Sequence, residues 1–145
     1  MNEAKQLMDR LRVSTSDLWD EAITHSSSGI ENNERLEFLG NEVLNLCLVD
    51  LLYHRYQFSE GKLTKMCNYL RSDKVLNEVG RELGLAAIIK KGASIKDGGV
   101  TDAMVAGSLE AIIGALFEIQ GYGKAKALVE ELVLTEKQLD LALNG

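Results

Sequence analysis

The stretch Asn33–Tyr56, NERLEFLGNEVLNLCLVDLLYHRY, decides the fold. Leu36, Leu39, Val43, Leu46, Val49 and Leu52 recur at helical steps, and Asn32 or Asn33 can cap the start. Glu34, Glu37 and Asn41 fall at i, i+3 and i+7, which places them on one stripe opposite Leu36, Leu39 and Val43. Working outward, the same period returns nearly everywhere. Ser16 or Asp17 caps a helix to about Thr24, and the turn-rich run 26–33 cannot continue it. Ser59 caps a helix at about 62–70, and Ser72 or Asp73 starts one through Leu83 that Gly84 stops. Residues 90–101 read as an exposed loop. Asp102 then caps an apolar helix over 103–119, a turn follows at 121–123, and a helix covers 124–133, with a short one after Thr135. No stretch alternates with period two between hairpin signals. The fold class is all-α.

The whole chain, 1–145, reads as one domain: 145 residues with no linker, repeat or low-complexity tract. An apolar share of 46% excludes a disordered chain. There is no proline, where average usage predicts roughly seven; a helical domain turned by Ser, Asn and Gly has few places for one. No apolar run approaches the ~20 residues of a membrane span, and the first 12 residues are too polar for a signal peptide. Cys47 and Cys67 form no CxxC, and His25 and His54 lack metal-ligand spacing, so a reduced cytoplasmic or organelle-matrix setting is expected. Sixteen Lys and Arg against 22 Asp and Glu give a net charge of −6. That argues against a simple basic nucleic-acid module, but leaves open a carboxylate site that meets phosphate through cations.

Glu110 is the lone acid of an otherwise apolar helix (Met104, Val105, Leu109, Ile112, Ile113, Leu116). From spacing alone it reads as a surface acid on that helix's solvated edge, because such acids are rarely buried without a partner.

The segment NERLEFLGN resembles the signature of the ribonuclease III family, which normally ends in Asp. THSS (Thr24–Ser27), LVDLLYHRY (Leu48–Tyr56), SEGKLTK (Ser59–Lys65), VLNEVGRELGL (Val75–Leu85), the Lys-rich loop with Gly98-Gly99, and SLEAIIGAL (Ser108–Leu116) follow in family order. The resemblance covers about residues 18–133. It implies an all-α endonuclease domain that forms symmetric dimers and cuts double-stranded RNA with Mg²⁺ or Mn²⁺. By position, Glu37 and Glu110 match metal-binding carboxylates, Glu60 an acid beside the site, and Glu34 the outer acid of the signature helix. Phe38, with Leu39 and Glu34, matches the dimer interface, Phe38 as a knob entering a socket on the partner; spacing alone equally allows Phe38 in the core.

Two positions depart from that pattern. Asn41 stands where the signature has Asp, and Gly107 stands where an Asp should precede Glu110 by three residues. Four carboxylates become two, and Mg²⁺ needs carboxylate charge to outcompete water, so binding is expected to be weak. Glu42 turns off the stripe, Asp102 is better placed to cap, and Ser108 is too short to compensate. Gly107 could instead serve close helix packing. The family's separate RNA-binding domain is absent from these 145 residues. Basic side chains for duplex contact would be Lys62, Lys65, Lys90, Lys91 and Lys96, with Arg71 and Lys74 nearby. The expected function is a ribonuclease III-like homodimer, or a heterodimer with an active relative, that binds duplex RNA or a related partner and has an impaired or inactive metal site. Its rivals are an active endonuclease using Glu37, Glu110, Glu60 and the Asn41 carbonyl, and an interaction module without RNA contact.

Overall fold

The computed structural model describes residues 3–13, 17–29, 31–93 and 99–145. Among them run nine α-helices: α1 (Glu3–Leu11), α2 (Asp17–Ala22), α3 (Glu34–Arg55), α4 (Glu60–Leu70), α5 (Asp73–Glu82), α6 (Leu85–Ile88), α7 (Asp102–Gln120), α8 (Tyr122–Leu132) and α9 (Glu136–Asn144). A 3-10 turn, Ser26–Ser28, lies between α2 and α3. The all-α expectation is met: the described residues hold one isolated parallel bridge, Thr24 to Lys90, and no strand.

Helix α7 is the axle. Every residue from Met104 to Leu116 is buried, as an all-round apolar sequence requires. Helices α3, α5, α8 and α2 pack around it, α3 most extensively. The α3–α7 crossing is close because glycines let the backbones meet. A Cβ on Gly40 would lie 1.7 Å from the Glu110 carbonyl oxygen, and one on Gly114 would lie 2.5 Å from the Leu36 carbonyl oxygen. Leu44, Leu48 and Leu52 are almost fully buried on that side of α3, each contributing about 1.5–3 kcal/mol by leaving water.

The caps follow their sequence signals except at α7. Ser59, Ser72 and Thr135 accept hydrogen bonds from the backbone N–H groups of Lys62, Val75 and Gln138, and Gly84 takes a left-handed φ of 82° after α5. Thr101, not Asp102, caps α7 by accepting from the Met104 N–H; Asp102 is the first helical residue and pairs with Arg81 at 2.9 Å. Asn33 turns its side chain inward, and Asn32 Oδ1 accepts from the Glu34 N–H instead. Helix α8 begins directly after Gly121, earlier than expected, and the single turn α6 was unforeseen. The alternative cap Ser16, together with Lys96 and Gly98 of the loop, lies outside the described residues.

One expectation about α3 fails in an informative way. Leu46 and Val49 were expected inside, yet they are 56% and 48% exposed, as Tyr53 is at 68%. Leu44, Cys47, Leu48 and Leu51 take the buried face in their place. The helix has more apolar residues than one neighbour can cover, and the surplus forms a second apolar face turned outward.

Candidate active site

Helices α3 and α7 bring Glu37, Asn41 and Glu110 together. With Glu34, Phe38 and Glu42 they line a cavity of about 360 Å³. Its placement starts with a polar stitch. Asn33 is buried; its side-chain amide donates to the Ala22 carbonyl (3.3 Å) and Ser108 Oγ (3.4 Å), and its own carbonyl accepts from the Glu37 N–H at 2.7 Å. This ties the first turn of α3 to α2 and to the stretch of α7 next to Gly107.

Glu110 is only 6% exposed, so it is not the surface acid that spacing suggested. Its partner explains the difference. Asn41 Nδ2 donates to Glu110 Oε2 at 2.6 Å. With Glu110 ionised the amide presents its nitrogen here, because its oxygen would face a carboxylate oxygen. Burial, opposed by the Asn41 hydrogen bond and reinforced by the charges of Glu37 and Asp73, raises the Glu110 carboxyl to about 7. Burial also raises Glu37, with Asp73 and Glu34 adding to the shift and the His25 imidazole opposing it.

Gly107 gives a clear geometric result. A Cβ there would lie 2.9 Å from Glu37 Oε2 and 3.0 Å from its Cδ and Oε1. The Glu37 carboxylate therefore rests over Gly107, in space a side chain at that position would need. The close packing at this glycine is thus against the movable end of the Glu37 side chain, which supplies its three nearest would-be contacts.

The other expected site residues scatter. Glu60, at the start of α4, lines a different cavity of about 600 Å³ with Asn45, Val49, Leu52, Tyr53, Phe58, Leu63 and Cys67. Phe38 is 78% exposed, so it is not core, whereas Leu39 packs on this chain's own core. Glu42 reaches the rim of the smaller cavity although its phase points it off the stripe. Lys62 sits over the Phe58 ring at 4.1 Å, and Lys65 shares a shallow groove with it. Lys90 pairs with Asp20 at 3.4 Å, and Lys91 is half-buried. The loop root carrying both lysines is pinned by the His25 N–H donating to the Lys90 carbonyl and the Lys90 N–H donating to the Ile23 carbonyl, each at 2.7 Å.

The family model described as Ribonuclease-III-like matches residues 15–137. The chain belongs to the ribonuclease III family. It is 36% identical to ribonuclease 3 of Cupriavidus taiwanensis over 126 residues, covering 85% of this chain and 49% of that protein. It is 34% identical to ribonuclease 3 of Borreliella burgdorferi over 139 residues, covering 88% and 57%. The chain thus spans about half the length of the curated relatives it matches. Among solved structures, the nuclease domain of ribonuclease III from Campylobacter jejuni superimposes with a TM-score of 0.84 at 32% identity, covering 92% of this chain and 95% of that one. A second structure of that nuclease domain (TM-score 0.82, 31% identity, covering 90% and 99%) is described as flexible in a region involved in dimer formation.

The sequence resemblance implies a divalent metal ion at this site. As arranged here, the residues of this ribonuclease III domain do not fit one. Glu110 presents its oxygen to an amide donor at 2.6 Å, Glu37 lies over Gly107, and Glu60 stands apart. Among the described residues, no three His, Cys, Asp or Glu side chains are grouped to hold a metal.

Sequence reasoning missed Asp73. It opens α5 next to the Ser72 cap, and its charge acts on both Glu37 and Glu110. Only the packing of α5 on α7 brings it there, so no spacing in the chain announces it. The exposed face Leu46–Val49–Tyr53 was legible in principle, as an excess of apolar residues over one stripe.

Proposed function

We propose that this domain is a ribonuclease III-like homodimer that binds duplex RNA and is impaired in metal-dependent cleavage. The observation that carries the reading is Asn41 donating to Glu110 while Glu37 covers Gly107, which leaves two carboxylates where the family pattern has four. Two anions bind a reluctantly dehydrated Mg²⁺ poorly.

The second copy is favoured by the outward face of α3. Phe38 projects at one end, and the apolar cavity of about 600 Å³ lies further along the same helix. A knob and a cavity on one chain can satisfy each other across a two-fold axis. Duplex RNA is favoured by the family, and by Lys62, Lys65, Lys90 and Lys91 as phosphate contacts repeated by symmetry.

Labelled duplex RNA incubated with Mg²⁺ or Mn²⁺ tests the cleavage half. The unmodified chain is expected to shift the duplex at low salt without cutting it, and the Asn41→Asp/Gly107→Asp double variant to gain cutting. Cleavage by the unmodified chain that vanishes in Glu110→Gln would overturn the reading. Sedimentation at micromolar concentration tests the assembly: the expected mass is twice 16.0 kDa, falling to monomer in Phe38→Glu.

A further inference from the structure

The buried Glu110 carboxylate poses an electrostatic problem. It is 94% withdrawn from solvent, on a helix with no basic residue, and feels Glu37 and Asp73 as like charges. A buried anion needs a donor or a counter-charge. Lys or Arg would supply one, and a metal ion would supply another. Among the described residues neither a Lys nor an Arg lines this cavity, and the donor actually in contact is the Asn41 amide.

We infer that Asn41 takes the place at Glu110 that a bound divalent cation would occupy, so that the α3–α7 junction of this domain holds together without an ion. The geometry supports a built arrangement rather than a damaged one. At 2.6 Å the donor and acceptor are in direct contact, with no room for an ion between them. Gly107 supports it from the other side: the missing side chain is the space in which Glu37 rests. The two departures from the family pattern thus act together, one adding a donor to Glu110 and the other removing an anion beside Glu37. An Asp at position 41 would reverse the first change, setting a third like charge against Glu110 beside Glu37 and Asp73.

The inference rests on the impaired-site reading but makes no use of RNA. Its test is thermal unfolding at pH 8, where carboxylates are ionised, in EDTA and in 10 mM Mg²⁺, for the unmodified chain, Asn41→Asp and Asn41→Ala. The unmodified chain is expected to melt within about 1 °C under both conditions. Asn41→Asp should melt roughly 3–8 °C lower in EDTA and regain most of the loss in Mg²⁺. Asn41→Ala should lose stability with no response to Mg²⁺, since it removes the donor without adding charge. A rise of several degrees for the unmodified chain in Mg²⁺, or an Asn41→Asp variant as stable as the parent in EDTA, overturns the inference. Should the variants fail to fold, the Asn41 side-chain amide resonances of the unmodified chain decide: unmoved by Mg²⁺ they support it, shifted with saturation they sink it. The two readings fail separately. A chain that cleaves RNA yet melts independently of Mg²⁺ loses only the functional proposal, and one that does not cleave yet gains stability from Mg²⁺ loses only this one.

Discussion

The crossing of α3 and α7 holds glycines of two kinds. Gly40 and Gly114 sit where a Cβ would strike the backbone of the facing helix, at 1.7 Å and 2.5 Å from carbonyl oxygens. Gly107, on the same α7, would first meet the end of the Glu37 side chain, at 2.9–3.0 Å. The first pair is required by architecture, because helices cannot approach this closely with side chains between them. The third is not: a carboxylate can swing aside. Absence of a side chain at position 107 therefore concerns the chemistry of the site, and the same residue type means different things one or two turns apart.

The largest effect should come from Gly40→Ala. Its methyl group overlaps backbone that no rotamer change can relieve, so α3 and α7 must separate. A loss of about 3 kcal/mol or more is expected in urea unfolding. A variant as stable as the parent would dissolve the distinction between the two kinds of glycine.

The next effect uses Glu110, which belongs to both regions: its carbonyl is wedged against Gly40, and its carboxylate meets Asn41. With its carboxyl at about 7 in the folded chain against an ordinary 4.5, the folded state holds the proton more tightly than the unfolded state. The corresponding stability is fully present below pH 4.5, fades as pH rises, and is gone above about 7. Urea unfolding from pH 5 to 8 should show a decline on the order of 2 kcal/mol. Glu110→Gln should flatten it. A flat profile in the parent would mean that the folded chain binds the Glu110 proton no more tightly than the unfolded one.

Gly107→Ala should change least. Alanine favours the helix by roughly 0.5–1 kcal/mol over glycine, and displacing Glu37 offsets part of that, so the net change should stay within about 1 kcal/mol. The carbon resonance of the Glu37 carboxylate should move while the Gly40–Gly114 contact persists. A destabilisation as large as that of Gly40→Ala would place Gly107 with the architectural glycines after all.

Much of the fold was legible because helix signals are local. Ser59 and Ser72 cap where their side chains and the following apolar period say they should. The site was partly legible for the same reason: Glu37 and Asn41 share a stripe by spacing, and family order supplied Glu110. What stayed hidden was set by packing between helices. Glu110 looked like a surface acid because nothing within α7 announces a donor on α3. Leu46 and Val49 looked buried because a stripe has no label for the face a neighbour leaves open, and Asp73 reaches the site only through the way α5 lies on α7.

Trp19 carries a practical consequence. It is the chain's only tryptophan, 2% exposed on α2, which packs on α7. Among the described residues its indole N–H has no hydrogen-bond partner, although a buried indole usually finds one. An indole held dry and unbonded emits at short wavelength and moves far to the red when water arrives. The domain thus carries an intrinsic fluorescent reporter beside the helix that bears Glu110, and every unfolding curve described above can be read from it without a label.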